Sequence, residues 1–484
     1  MSQGPAPTAI PHADALAQQI AAALAPVEAS GLDARVAALE ASNAELIASI
    51  GELVDNIVQL RNEDVHVLDQ RGQAQAKQLE ELQAALNLER SSRDLAEVSR
   101  MHPKERIVVF VGGTYFGNNV KYAWLAALAQ AEALRAECWF LPMDARQAEL
   151  VAQTGGCCFP ANPAEWTAAH LHTALAAAVA VIDDHLLNSN PYAAALLAGA
   201  RQMQLWHGVS IKEIGLRNLA GLASMSPHFA RVLRTCGDFS QLIGTSATQE
   251  AEFRRWFGFR QYAPIGYPRN DVLLREPTAH DLLNVDMDVY QRAAGYRQRG
   301  KRVYLYAPTF RDGNHGWMMD AGLPELAAGI SAAGDLLIVN LHPVEQPLVP
   351  KLAEVLPLVS FVRSRSDAYP LLRLATTLIT DYSSIMFDYL LLDRPVLLFR
   401  PDHVAYTTKS RQLFDAKLAT PPGTVAGTVG ELLKLVKTQK EGAGGAQARH
   451  ALRDALHDHT DGDAGQRLLA LIAQELDTAL EARR

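Results

Sequence analysis

The 484-residue sequence predicts an α/β protein of two Rossmann-like domains facing each other across a cleft, preceded by a helical coiled coil. Three observations carry this expectation. The chain is longer than one hydrophobic core supports, so several domains are expected. A heptad pattern fills much of the first hundred residues. After Met101, nearly continuous apolar strands alternate with helical segments, the texture of parallel sheets covered on both faces.

Residues 1–30 are rich in Ala and Pro and read as flexible, with a short helix around Ala15–Leu24. Residues 31–100 form the coiled-coil segment. Val36, Leu39, Asn43, Leu46, Ile50, Leu53, Ile57 and Leu60 succeed one another in alternating steps of three and four. Seven of these eight are apolar, and the eighth is an Asn at an a position, which fixes register and oligomer state at some cost in stability. The stripe falters around Gly72 and resumes one residue out of phase at Leu79, Leu82 and Leu86. It must be buried against something. Self-association would make the chain a homo-oligomer; folding back as a hairpin or packing on its own globular part are the alternatives.

Residues 101–262 are expected to form the first Rossmann-like domain. Its strands fall at Arg106–Gly113, Cys138–Met143, Ala177–Asp183, Arg201–Gly208 and Gln241–Ser246, with a helix through Lys121–Arg135. Residues 263–484 form the second, with strands at Val303–Phe310, Leu336–His342, Val359–Val362, Thr377–Thr380 and Val396–Phe399, followed by terminal helices. In open parallel sheets ligands bind beyond the carboxyl ends of the strands.

Composition narrows the function classes. A hydrophobic content of 49% and a charged content of 20% describe an ordinary globular protein. A formal net charge of −8 argues against a broadly cationic nucleic-acid-binding surface. Cys138, Cys157, Cys158 and Cys236 are too few and too irregularly spaced for a disulfide framework or zinc site. The pair Cys157-Cys158 reads as small apolar packing. The first basic residue is Arg35, which does not suit a signal peptide. The longest apolar stretch, Ala174–Ile182, falls short of the roughly 18–20 residues that cross a bilayer. A cytoplasmic address is expected, with peripheral contact at the inner face of the membrane left open.

Polar residues gather at strand ends. Trp206-His207-Gly208 follows one strand, with Lys212 beyond it; Arg269, Asn270 and Asp271 follow the segment around Ala263–Ile265. Thr309 and Arg311 close a third strand, His342-Pro343 a fourth, and Asp381, Ser383 and Ser384 a fifth. The two serines at a strand-to-helix junction suit phosphate oxygens, because a helix start offers free N–H groups and a positive dipole end. Arg311 and Arg269 are candidate partners for the same anion. His207 beside a glycine, and His342 held by a proline, are candidates for proton transfer. The cluster Gly112-Gly113-Thr114-Tyr115-Phe116-Gly117 lacks the spacing of a dinucleotide fingerprint or P-loop. Asp183-Asp184-His185 reads as a cap or turn, and His457, His459, Asp461 and Asp463 as a solvated turn, rather than as metal sites. No G-x-S-x-G elbow supports a hydrolase.

The segments WHGVSIKEIG, GYPRND, YAPTFRD, LHP and ITDYSSIMFDYLLLDRPVLLF resemble the CDP-glycerol glycerophosphotransferase family, polymerases and primases of teichoic acids and similar capsules. The resemblance spans roughly residues 105–470. It implies a GT-B fold, with residues 101–262 as the acceptor domain and 263–484 as the CDP-donor domain. The implied reaction transfers a polyol phosphate, glycerol phosphate first and ribitol phosphate next, from a CDP-activated donor to a hydroxyl of a polymer or glycolipid acceptor, releasing CMP. His207 would be the general base, and His342 would contact the donor diphosphate. Thr309, Arg311, Asp381, Ser383 and Ser384 would bind donor phosphate, while Gly208, Lys212, Arg269, Asp271 and Asp388 would shape the cleft. No metal is required by this scheme; Mg²⁺ stimulation is left open.

The sequence departs from the family at Val209-Ser210 and Lys212-Glu213, where Thr-Pro and two lysines are common, and at Asn340, where a basic residue is frequent. Arg411–Gly423 follows the family pattern only loosely. A glycosyltransferase using a nucleotide sugar and a non-catalytic coiled-coil scaffold are the alternatives, since fold alone does not fix chemistry.

Overall fold

The computed structural model describes residue 18 and residues 32–184, 192–210, 237–311, 313, 315–409, 422–438 and 445–481. The Ala15–Leu24 helix, the flexible character of residues 1–30, Lys212, His185, Cys236 and most of Arg411–Gly423 lie outside those residues, apart from residue 18. The chain separates into two compact units, residues 1–91 and 92–484. The first unit is described here from Leu32 as one helix, the beginning of a 70-residue helix, Leu32–Met101. This helix runs unbroken through Gly72, so the fold-back hairpin does not form. The heptad positions Val36, Leu39, Ile50, Ile57 and Leu60 are all exposed along it.

The second unit contains two parallel sheets. The first has strands β1 (Glu105–Val111), β2 (Glu137–Leu141), β3 (Cys157–Cys158), β4 (Ala177–Ile182), β5 (Arg201–Gln204), β6 (Phe239–Ile243) and β7 (Phe259–Ala263). The second has β8 (Val303–Ala307), β9 (Leu336–Val339), β10 (Val359–Phe361), β11 (Thr377–Thr380), β12 (Val396–Phe399) and β13 (Thr424–Ala426). Their orders are 3-2-1-4-5-6-7 and 10-9-8-11-12-13. Both wind outward from the strand that comes first in the chain, so β1 and β4, and β8 and β11, flank the switch point where an open α/β sheet takes its ligand.

Burial explains the apolar runs. Along β1, Val108 and Phe110 enter one core while Ile107, Val109 and Val111 enter another. Along β8, Val303 and Leu305 face one core, and Tyr304 and Tyr306 the other. A strand covered on both faces has no position at which a polar residue is favoured, so alternation vanishes.

The terminal helices do not all belong to the second sheet, as the sequence suggested. Ala464–Glu481 returns to the first sheet, and Leu468, Leu469, Ile472 and Leu476 pack with Val108, Phe110, Val179 and Met203. The thiol pair is also revised: Cys157 is exposed on a two-residue edge strand, and Cys158 is half-buried. Burial pushes the Cys158 thiol up to about 12, which suppresses thiolate reactivity. No helix among the described residues is long and apolar enough to cross a membrane.

Candidate active site at the junction of the two sheets

β5 ends at Gln204 and the chain turns sharply through Leu205-Trp206-His207-Gly208. Trp206 has φ 52° and Gly208 φ 140°, both in regions that cost free energy for residues with side chains. The turn is held from several sides. Gln204 Oε1 accepts the Trp206 N–H at 2.8 Å, and Asn119 Nδ2 donates to the Trp206 carbonyl at 2.7 Å. The Trp206 ring stacks on the His207 imidazole, 3.9 Å between centroids.

His207 Nδ1 lies 3.0 Å from the Asp183 carbonyl oxygen. A carbonyl can only accept, so Nδ1 carries the proton and Nε2 keeps its lone pair. The side chain retains access to solvent. Crowding by protein nevertheless lowers its pKa below the usual 6.5; burial is the main cause, Arg269 adds to it and Asp184 opposes it. A neutral imidazole with an unprotonated Nε2 at neutral pH is equipped to act as a general base.

Arg269 ties this turn to the second sheet. Its Nη1 donates to the His207 carbonyl at 2.9 Å and to Asn118 Oδ1 at 3.1 Å, and its Nη2 donates to Asp388 Oδ2 at 2.6 Å. Asp388 is fully buried and also accepts from Tyr369 Oη at 2.6 Å and Asn270 Nδ2 at 3.0 Å. Arg269 and Asp388 therefore join the turn after β5 to the helix that follows β11.

At Gly208 a loop of the first sheet passes close to a loop of the second. A Cβ at this position would stand 3.1 Å from Arg269 Nη2 and 3.2 Å from Ser384 Oγ. With φ at 140° the backbone also favours glycine. Gly208→Ala is expected to destabilise the fold by about 1–3 kcal/mol, measured by denaturant unfolding.

Three residues assigned to donor phosphate do something else. Arg311 makes five hydrogen bonds of 2.6–3.0 Å, to Asp402 Oδ1 and Oδ2, Asp381 Oδ2, and the Thr309 carbonyl and hydroxyl. A guanidinium has five N–H groups, so its fork is already occupied. Thr309 spends its N–H and hydroxyl on Asp381, at 3.0 and 2.9 Å. The Asp381 carboxylate is wholly buried, with its pKa raised by desolvation, and a carboxylate cannot ligate phosphate oxygens without a cation between them. Thr309, Arg311 and Asp381 are thus a buttress joining the ends of β8 and β11. The Tyr382 and Tyr406 rings, stacked 4.1 Å apart, lie beside it.

Groups with capacity for an anion surround that buttress. Ser383 and Ser384 are half-buried, and Ser384 makes no capping bond to its helix, which is only Ile385–Tyr389 with a further 3₁₀ turn. His342 packs its ring on Phe310 at 4.4 Å, and its Nδ1 accepts the Val344 N–H at 3.3 Å. That bond places the His342 proton on Nε2, which makes it a donor where His207 is an acceptor. Arg400, at the end of β12, donates Nε to the Asp381 carbonyl at 3.1 Å while its buried Nη2 has no hydrogen-bond partner. The sequence points to Arg400 only through its place after the run VLLF.

Asp271 is not part of the cleft wall. Its carboxylate accepts the Ala464 and Gly465 N–H groups at 3.0 and 2.8 Å and so caps the last helix. Burial pushes its pKa up to about 7. The turn read as solvated is only partly so, because His457 is buried with Nε2 3.0 Å from the Phe387 carbonyl. Among the described residues no group of three or more His, Cys, Asp or Glu is arranged to hold a metal.

Sequence inspection missed two buried residues that hold the cleft together. Asn119 spans two loops, donating to Trp206 and accepting the Arg269 N–H at 3.3 Å. Lys121 Nζ donates to the Asp281 and Leu283 carbonyls and to Asp367 Oδ2, each at 2.7 Å. A lysine on an otherwise apolar helical face was the available signal.

The chain is 28% identical over 280 residues to the teichoic acid glycerol-phosphate primase of Bacillus subtilis (strain 168), covering 56% of this chain and 67% of that protein. It is 24% identical over 288 residues to the teichoic acid ribitol-phosphate primase of Bacillus spizizenii, covering 58% and 71% respectively. Its fold resembles that of the wall teichoic acid polymerase TagF, with a TM-score of 0.61 and 20% identity over 82% of this chain and 96% of that one. Residues 161–474 match the model of the CDP-glycerol:poly(glycerophosphate) glycerophosphotransferases. The chain belongs to that family of transferases.

Proposed function

We propose that the protein transfers glycerol phosphate, or a related polyol phosphate, from a CDP-activated donor to a hydroxyl of a cell-envelope polymer or its glycolipid primer. His207 Nε2 takes the proton of the acceptor hydroxyl. The acceptor oxygen attacks the phosphorus that bears the polyol, and the bond from that phosphorus to the CMP oxygen breaks. His342 Nε2–H donates to the diphosphate and stabilises the charge left on CMP. The hydroxyls of Ser383 and Ser384 contact phosphate oxygens, and Arg400 supplies the cation in place of Arg311. The scheme relies on positioning and charge neutralisation, the main needs of phosphoryl transfer. It calls for no resident metal; added Mg²⁺ would act on the donor's own phosphates. The work is done at the cytoplasmic side, in peripheral contact with the membrane that carries the acceptor.

The observation that supports this most directly is the opposition of His207-Gly208 to Ser384. A base with its lone pair unspent sits in the same turn as the glycine that meets the serine-tipped helix. The test is incubation with CDP-glycerol, CDP-ribitol and nucleotide sugars in the presence of polymer acceptor, with and without a chelator. Acceptor-dependent CMP release from CDP-glycerol that survives chelation is expected. Release of a nucleoside diphosphate from a sugar donor would instead make the protein a glycosyltransferase, and absence of turnover with every donor would leave a scaffold.

A further inference from the structure

We infer that the stretch Leu32–Leu60 pairs with the same stretch of a second chain as a parallel, in-register, two-stranded coiled coil. The residues at the seam specify this arrangement. Val36, Ile50 and Ile57 at a are β-branched, and Leu39, Leu46, Leu53 and Leu60 at d are all leucine. β-branched a with leucine d is the combination that favours two parallel strands, whereas isoleucine at d shifts the preference to three or four. The seam covers four heptads, the length at which such pairing becomes stable.

Asn43 fixes orientation. In a parallel pair in register it meets the Asn43 of the second chain, amide to amide. In an antiparallel pair an a position faces a d position, and every d position here is a leucine, so a polar amide would be buried without a partner. The flanking positions agree. Arg35 at g meets Glu40 at e of the second chain, and the next pairs, Ser42 with Ile47, Ser49 with Val54 and Asn56 with Arg61, place no like charges together.

Other occupants of this face fit less well. The stretch holds five carboxylates (Asp33, Glu40, Glu45, Glu52, Asp55) against the single Arg35, and it has no aromatic residue and no lysine. An acidic helix of this kind is repelled by an anionic bilayer surface, where basic residues and Trp or Phe are required. Most seam side chains stay exposed along the single helix, with Leu39 63% and Leu60 62% accessible and Leu46 and Leu53 half-buried.

The test uses the full chain. Light scattering is expected to give twice the 52.7 kDa chain mass. The double variant Leu46→Asp, Leu53→Asp should run at the single-chain mass with its transferase rate per chain unchanged. Asn43→Cys should form a cross-linked dimer under mild oxidation that the wild type, with its own four cysteines, does not. A wild-type mass of one or three chains, or an Asn43→Cys chain that forms no more cross-linked dimer than wild type, would overturn the assignment.

Discussion

His207→Ala is expected to lower turnover by about 10²- to 10⁴-fold, the range over which a positioned general base contributes. The Nε2 lone pair exists because Nδ1–H is committed to the Asp183 carbonyl, so the loss should be as large in His207→Gln, which keeps bulk and polarity but has no basic nitrogen. The pH profile gives a second, independent readout. The base works only when unprotonated, and its surroundings lower its pKa from 6.5. The acid limb of kcat/KM should therefore fall below pH 6.5, with the rate flat through neutrality on that side. The limb should vanish in the residual activity of His207→Ala. A wild-type acid limb centred above pH 7, or a His207→Ala enzyme within threefold of wild type, would remove His207 from the chemistry.

The second large effect concerns stability. Lys121 and Asp367 are both completely buried, and their 2.7 Å pair is supplemented by two carbonyl acceptors on the lysine and the Tyr122 hydroxyl on the aspartate. Lys121→Ala removes the cation and leaves a carboxylate in a dry interior. The expected cost is about 3–5 kcal/mol, the penalty for uncoupling a buried pair. Replacing both partners, Lys121→Met with Asp367→Leu, should recover part of that loss, because neither charge then needs compensation. Recovery stays incomplete because the Asp281 and Leu283 carbonyls and the Tyr122 hydroxyl lose their partners. Denaturant midpoints of the single and double variants check both statements. A single variant within about 1 kcal/mol of wild type would mean that water reaches Asp367.

Which parts of this arrangement could be seen in the sequence depends on what a one-dimensional string records. Buried parallel strands appear as apolar runs, so ten of the strands are legible; Thr377–Thr380 and Val396–Phe399 end where expected, and the other eight end earlier than their apolar runs. The predicted strand Val303–Phe310 stops at Ala307, and Arg201–Gly208 stops at Gln204. The residues in excess are the loops of the candidate site, which keep apolar members such as Trp206 and Phe310 for packing on the two histidines. Strand β3 is two residues long, too short to show any period. Residue types at the cleft were legible, whereas the destination of each donor was not. Arg311 looks like an anion receptor until the acceptors around it are counted, and those acceptors come from residue 309 and from positions 70 and 91 further along the chain. Lys121 and Asn119 went unnoticed for the same reason, since their partners are Asp281, Leu283, Asp367 and the turn at Trp206.

The return of the chain's last segment to its first sheet has a consequence for how the molecule can be divided. Polypeptide synthesis delivers Leu468, Ile472 and Leu476 late, yet these residues clothe strands made hundreds of residues earlier. A fragment ending before Ala464 would present bare Val108, Phe110 and Val179 to water. The early lobe thus cannot complete its core until residues 464–481 have been made, and neither lobe is a separable cassette.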